Sequence, residues 1–298
     1  DELRYDAAWL DDPDGRPLSR SLPLVPEHAA HRGAVVHDWF DNLLPDSVSI
    51  RRRLAARFGT RGIDARSLLA AVGRDCVGAV QLLAPDEAPG EVRRIDAVPL
   101  DEADVARILH AVQRAAAFGA PVVDEPDFRI SLAGAQEKTA LLHHDGRWHR
   151  PLGPTPTTHI LKLPLGIVGG MRADLRGSVE NEWLCLAFLR ACGLPVARTE
   201  AATFTDDHGP VRALVVERFD RRRLRTPDGH EWIARLPQED MCQATGTPGD
   251  SKYESEGGPG IVRCLDVLAG GANADEDRTT FVLAQLAFWL LAATDGHA

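Results

Sequence analysis

Residues 128–142, F-R-I-S-L-A-G-A-Q-E-K-T-A-L-L, carry a strand pattern on each side of a run of small residues. The run of small residues is Ala133, Gly134 and Ala135. Such residues let backbone N–H groups approach an anion closely, and Lys138 adds a positive charge. The stretch lacks the second glycine of a nucleotide P-loop and the three glycines of the usual kinase loop. Taken alone, it is compatible with a phosphate-covering loop and also with a plain hairpin turn.

Composition places the chain among ordinary globular proteins. Its 298 residues are enough for two domains, and a net charge of −10 argues against a surface that binds nucleic acid as a whole. The arginine runs at 51–53 and 221–223 indicate solvated faces. Five cysteines without a C-x-x-C pair favour reduced thiols in the cytoplasm over a disulfide frame or a zinc site. We find no signal peptide and no apolar run long enough to span a membrane, so we expect no membrane partner.

The first part of the chain predicts a small α+β unit. It includes a strand at 78–83 and an amphipathic helix at 101–118. It contains no catalytic pattern, and we interpret it as a docking or structural region. A stretch with two prolines and three acids at 119–127 predicts a boundary. The expected domains are 1–125, 126–225 and 226–298.

A strand at 158–164 contains one cation, Lys162, among apolar residues. A lysine there is costly unless it meets an anion, although a lysine on an edge strand can also serve to block aggregation. The next helix, which we expect Ser178 to cap, has Glu180 and Glu182 near its start, where the helix dipole favours acids. The apolar run 183–189 predicts that this helix is buried.

The rest of the chain adds a central strand at 212–220 and helices at 236–246, 261–268 and 278–293. The last helix is rich in apolar residues, which predicts that it belongs to the core. Asp295 follows it. Loop, strand lysine, helix glutamate, central strand and late aspartate follow one another as in protein kinases. Phosphoryl transfer needs such parts to cover phosphates, neutralise their charge, hold adenine and accept a proton.

Eight segments extend this pattern. They are S-L-A-G-A-Q-E-K-T-A-L-L at 131–142, T-T-H-I-L-K-L-P-L-G at 157–166, S-V-E-N-E-W-L-C at 178–185, V-E-R-F-D-R at 216–221, L-P-Q-E-D-M-C-Q at 236–243, K-Y-E-S-E-G-G-P-G-I at 252–261, T-D-G-H-A at 294–298 and D-W-F-D-N-L-L-P-D at 38–46. With them the chain closely resembles, over nearly its whole length, the HipA family of serine/threonine kinase toxins from bacterial toxin–antitoxin pairs.

The resemblance implies an α+β, protein-kinase-like fold of two lobes, with an additional N-terminal α+β subdomain and a C-terminal lobe that is incomplete in these residues. It implies a kinase that uses ATP and Mg²⁺ to phosphorylate a serine of glutamyl-tRNA synthetase, which inhibits translation and favours dormancy. It also implies a DNA-binding antitoxin of the HipB type, which holds the toxin on operator DNA.

The resemblance also implies roles for single residues. Lys162 would pair with the phosphates, and we choose Glu182 over Glu180 as its partner because Glu182 lies nearer the apolar part of the helix. Ser131 would be the autophosphorylation site, and Asp295 the catalytic base. The other nucleotide-binding residues would be Ala133, Gly134, Ala135, Gln136, Glu137 and Lys138 over the phosphates, Glu217, Arg218 and Phe219 on the adenine side, and His297 and Ala298 next to the base.

The sequence also departs from the kinase pattern after the proposed base. The asparagine that kinases place five residues after the base, and the later metal-binding aspartate, would lie beyond Ala298. We therefore expect that residues 1–298 alone do not transfer phosphate. The alternatives are a catalytically dead, truncated homologue that binds antitoxin or nucleotide, and a nucleotide-binding regulator without transfer.

Overall fold

A computed structural model describes residues 1–118, 136–168 and 172–293 of the chain. The strands in these ranges are β1 (Glu2–Leu3), β2 (His31–Arg32), β3 (Ala97–Leu100), β4 (Lys138–His144), β5 (Arg147–Pro151), β6 (His159–Lys162), β7 (Gly166–Val168), β8 (Ala173–Leu175), β9 (Thr199–Asp206), β10 (Gly209–Glu217), β11 (Arg221–Arg225) and β12 (Glu231–Arg235). The helices are α1 (Ala7–Asp11), α2 (Ala34–Asp41), α3 (Val48–Phe58), α4 (Ala65–Val72), α5 (Glu102–Phe118), α6 (Ser178–Ala191), α7 (Met241–Thr245), α8 (Ile261–Leu268) and α9 (Ala274–Leu290).

The chain forms two compact units, one of residues 1–46 with the chain from 239 onward, the other of residues 47–238. They divide the chain at positions other than the domain limits expected from sequence. The boundary expected at 119–127 lies outside the described residues.

In the unit that includes both chain ends, α7 holds the N-terminal segment through a buried glutamine. Asp240 and Gln243 form a reciprocal capping box at the start of α7. The side-chain amide of Gln243 donates to the backbone carbonyl of Trp39 at 2.9 Å. The backbone carbonyl of Gln243 accepts from the Ser21 hydroxyl at 2.6 Å. One polar residue thus satisfies groups from three segments.

The second unit is built on a six-stranded antiparallel sheet in the order β3-β5-β4-β6-β10-β9. Helix α5 covers one face of the sheet. Its apolar stripe packs against the strand side chains that point to this face. The core between α5 and the sheet consists of Val105, Ala106, Leu109, Leu141, Leu161, Leu163, Phe204, Val211, Ala213 and Val215.

Helix α6 lies on the opposite face of this sheet. On β10, Val211 and Ala213 belong to the α5 core, and between them the Arg212 side chain contacts Glu180 of α6 at 2.8 Å. Alternation along β6 likewise turns Leu161 toward α5 and leaves Lys162 on the α6 side. Ser178 is not the cap that we expected. Gly177 holds that position, and the Ser178 hydroxyl accepts from the backbone N–H of Leu165.

The prediction of a strand at 78–83 is wrong, because these residues form irregular structure. Gly78 has φ +76°, outside the strand region, and its N–H donates to the carboxylate of Asp220 at 2.8 Å. A Cβ at this position would stand 2.8 Å from the carbonyl oxygen of Gln238, so only glycine fits. A side-chain acceptor thus takes the N–H that a strand would have used.

The expectation that two apolar helices are buried all round is also wrong for the described residues. Helix α6 buries Val179 and Leu189, whereas Trp183 and Leu184 are exposed. On α9 the Trp289 side chain is 77% exposed. An apolar run predicts burial on every side, but each helix packs through one face within this part of the chain. Of the helices described, none has the length and hydropathy needed to cross a bilayer.

Candidate active site

Lys162 forms an ion pair with Glu182 across the α6 face of the sheet. The Lys162 Nζ lies 2.6 Å from Oε1 of Glu182, and both side chains are partly buried. Strand β6 orients the lysine, because Leu161 and Leu163 on either side are anchored in the α5 core. The structure therefore contains the contact predicted from sequence, and the choice of Glu182 over Glu180 agrees with it, since Glu180 pairs with Arg212.

A second cation stands beside the first. Lys138 on β4 is the direct cross-strand partner of Lys162 on β6, so both side chains leave the same face of the sheet. Directly opposed residues have Cβ atoms about 5 Å apart, and like charges at such positions are destabilising. Glu182 pairs with Lys162. An anion with several charged oxygens, such as a phosphate chain, is attracted to two lysines on one face of a sheet.

The residues before Lys138 are tied to the end of β6. The side-chain amide of Gln136 donates to the carbonyl of Leu163 at 2.6 Å, and the N–H of Leu163 donates to the carbonyl of Glu137 at 3.1 Å. The Glu137 carboxylate pairs with Arg53 of α3. Arg53 is therefore engaged rather than solvated, which corrects our interpretation of the run at 51–53 for this residue. The end of the expected phosphate loop is thus held next to Lys162.

The chain at 217–219, expected on the adenine side, turns its side chains alternately outward and inward. Glu217 and Phe219 are exposed, whereas Arg218 is buried. The backbone N–H of Arg218 donates a hydrogen bond to the backbone carbonyl of Thr158 at 2.8 Å. In the described part of the chain, the backbone N–H of Phe219 makes no hydrogen bond. A nucleotide base could therefore contact this segment through its backbone, but not through the Arg218 side chain.

Arg218 belongs to a buried ionic cluster that sequence reasoning did not find. We call it the Asp75 network, and its members are Asp75, Thr157, Arg218, Asp220, Arg221 and Arg235. Arg218 donates two hydrogen bonds to Asp220, at 3.0 and 2.8 Å. Its third nitrogen contacts Asp75 at 3.4 Å and the Thr157 hydroxyl at 3.0 Å.

Two more arginines complete the network. Arg221 donates to Asp75 at 3.0 Å and to Asp220 at 2.9 Å, and Arg235 donates to Asp75 at 3.2 Å. Only 2% of the Arg221 side chain is exposed. The prediction that the run at 221–223 is solvated is therefore wrong for this residue. Sequence reasoning treated the run by composition, whereas its first member has two buried carboxylates within reach.

Electrostatics favour the charged state of both acids. Burial alone would raise the pKa of Asp75, but attraction to Arg221, Arg218 and Arg235 outweighs burial and holds the pKa far below its ordinary value. The pKa of Asp220 is lowered as well, because its hydrogen bonds and attraction to the arginines exceed the effect of burial. Burial lowers the pKa of Arg221 to about 10, which leaves it protonated at neutral pH. The network therefore holds three cations and two anions.

The other candidate site residues, Ser131, Ala133, Gly134, Ala135, Asp295, His297 and Ala298, lie outside the described residues. The roles proposed for them stay predictions.

Of the candidate metal-binding side chains in the described chain, Glu182 is engaged by Lys162. Elsewhere in this part of the chain, His144, Asp145 and Glu231 bring one donor atom each within 4.8 Å of one another. Oε1 of Glu231 accepts from Arg225 at 2.8 Å.

The sequence matches the HipA-like C-terminal domain over residues 130–298, more than half of the chain, and the HipA N-terminal domain over residues 2–83. The chain belongs to the HipA family. A relative described as putative kinase Y4mE, from Sinorhizobium fredii, is 38% identical over 267 residues, which cover 89% of this chain and 58% of the relative. The serine/threonine-protein kinase toxin HipA of Shewanella oneidensis is 25% identical over 258 residues, which cover 87% and 53%.

The fold agrees with a solved HipA structure. A chain in the complex of Shewanella oneidensis HipA, HipB and operator DNA superposes with a TM-score of 0.73 at 23% identity, over 100% of this chain and 66% of the other. The chain thus has the mixed α and β, kinase-like fold of HipA. It spans little more than half the length of the curated relatives it matches.

Proposed function

We propose that this protein is a HipA-type kinase that binds ATP with Mg²⁺ and transfers the γ-phosphate to a serine or threonine of another protein. The observation that carries the proposal is the group formed by Lys138, Lys162 and Glu182. Two lysines on the same face of the sheet, with the Lys162 ammonium paired to a helix carboxylate, support a site for a phosphate chain. Membership in a family with kinase relatives supports the same chemistry.

Each residue of the site has a defined task in this proposal. Lys162 binds phosphate oxygens, and Glu182 holds its ammonium in place. Lys138 adds charge on the same face. Asp295 accepts the proton of the attacking hydroxyl, a role assigned from sequence alone. The metal supplies charge neutralisation at the phosphates when bound.

We further propose that the acceptor is a serine of glutamyl-tRNA synthetase, and that its phosphorylation inhibits translation and favours dormancy. The support for this substrate is the family resemblance. For partners, the support is the solved complex of HipA with HipB and operator DNA. We propose that a HipB-like antitoxin binds this protein and places it on operator DNA in the same manner.

The test uses the full-length protein with MgATP and purified glutamyl-tRNA synthetase, followed by intact-mass measurement of both proteins. A phosphate on a synthetase serine supports the whole proposal. A phosphate on the kinase alone supports the enzyme and contradicts the substrate. ATP binding without any phosphorylated product indicates a nucleotide-binding module instead. Absence of ATP binding contradicts the proposal.

A further inference from the structure

We propose that the Asp75 network is a positioning device for base recognition, through which the N-terminal HipA segment acts on the nucleotide site. Asp75 lies in the segment that matches the HipA N-terminal domain, and Arg218 lies in the C-terminal domain. The inference rests on the proposed binding of ATP. It assigns a role in nucleotide selectivity to residues that do not touch the nucleotide.

The first step is the orientation of residues 217–219. Because Arg218 turns inward, the neighbouring Glu217 and Phe219 turn outward. The N–H of Phe219 makes no hydrogen bond within the described chain and can donate to a ring nitrogen of a purine. The position of this donor depends on the adjacent Arg218, since the two residues share one peptide unit.

The second step is the rigidity of the Arg218 side chain. Its nitrogens donate to four acceptor groups: the Asp220 carboxylate, the Asp75 carboxylate, the Thr157 hydroxyl and the carbonyl of Cys76. Only 2% of the side chain is exposed. Charge-assisted hydrogen bonds at such a site are strong, and a shift of the backbone would leave a buried charge unpaired. Residues 217–219 are therefore held in one conformation.

The third step is the source of the anchor. Asp75 accepts from Thr157, Arg218, Arg221 and Arg235, so it forms the centre of the network. The carbonyl of Cys76 and the N–H and carbonyl of Gly78 add backbone contacts to the same arginines and to Asp220. A short stretch after α4 thereby fixes the end of β10, which explains why this stretch is irregular and not a strand.

Thr157 offers the mildest perturbation of the network. Its hydroxyl donates to Asp75 at 2.7 Å and accepts from Arg218 at 3.0 Å. Thr157→Val removes both contacts at nearly constant volume, whereas Thr157→Ser keeps the hydroxyl. Leu109→Ala is the control, because it creates a cavity in the α5 core and lowers stability without contacting the network.

The experiment measures Kd for ATP and for GTP, together with Tm, in the full-length protein. For Thr157→Val we expect ATP binding to weaken about tenfold and the preference for ATP over GTP to shrink, because the donor that reads the base moves. Thr157→Ser restores both values to within about twofold. Leu109→Ala lowers Tm at least as much but keeps the wild-type preference.

Arg235→Lys is a second variant in case Thr157→Val does not fold, since it keeps the charge and loses the forked contact with Asp75. We expect ATP binding to weaken about threefold there. A folded Thr157→Val protein with wild-type ATP affinity and selectivity would overturn the inference, as would equal loss of selectivity in Leu109→Ala. Absence of ATP binding by the wild-type protein would overturn the proposed function as well.

Discussion

The Lys162 ammonium lies 2.6 Å from the Glu182 carboxylate, and the next acid along the helix start, Glu180, pairs with Arg212 instead. Both acids belong to α6 and lie two positions apart, yet they serve different partners. The same substitution can be made at Glu182 and at Glu180, so the second residue serves as a control for the first.

Replacing Glu182 by glutamine is expected to weaken ATP-dependent phosphorylation by about tenfold to a hundredfold, because the Lys162 ammonium loses the charge that orients it. Glu180→Gln is the matched control and is expected to keep kcat/KM within about twofold, since its pair with Arg212 is solvent-exposed. Steady-state kinetics on the full-length protein measure both. Equal effects of the two substitutions would contradict the assignment.

Replacing Asp75 by asparagine is expected to lower the free energy of unfolding by about 3–5 kcal/mol, because three buried guanidinium groups lose a shared counter-charge. Urea denaturation measures the change. The matched control is Asp228→Asn, the same chemical change at an exposed carboxylate, and it is expected to leave the free energy of unfolding nearly unchanged. A small effect at Asp75 would show that the network is not stabilising.

His159 predicts a pH dependence of stability. Burial lowers its pKa from 6.5 to about 4, so the unfolded chain takes up a proton between these values and the folded chain does not. Stability contributed by the neutral imidazole is therefore present above pH 6.5 and is lost as pH falls toward 4. Burial also lowers the pKa of the adjacent His143, which acts in the same direction.

We expect His159→Phe to lose less Tm than the wild-type protein between about pH 7 and about pH 5. Thermal unfolding at both pH values measures the difference. Parallel curves for the two proteins would contradict the linkage.

Phosphorylation of Ser131 is expected to abolish ATP binding. A phosphoserine carries nearly two negative charges, and the proposed autophosphorylation site precedes the loop expected to cover the phosphates. The measurement is ATP affinity of a homogeneously phosphorylated sample, with Ser131→Ala as the unmodified control that retains binding. Normal ATP affinity in the phosphorylated sample would refute this prediction.

Sequence reasoning found the elements that follow local patterns. Lys162 was identified as the one cation in an apolar strand. The family resemblance, together with the position of Glu182 nearer the apolar part of the helix, predicted the pairing of the two residues. Acids near the start of this helix also agree with the helix dipole. The kinase order came from joining such local signals.

Sequence reasoning missed what depends on distant pairing. Asp75 and Arg221 are 146 positions apart, and no sequence pattern near either residue predicts that the two side chains form a hydrogen bond. An acid close to the apolar Val72 and next to Cys76 can indicate a buried charge, but it does not identify the partner. The exposure of Trp183 on α6 was missed for the related reason that an apolar run does not specify which face finds a partner.

The most direct measurement is the Kd for MgATP of the full-length protein and of its Lys162→Met variant, with thermal unfolding to show that both are folded. The proposed phosphate site requires that the wild-type protein bind ATP and that the variant bind at least about tenfold more weakly, since a charge-assisted contact to the phosphates is lost. Equal affinity of the two folded proteins would contradict the assignment of Lys162, and with it the kinase site described for this protein.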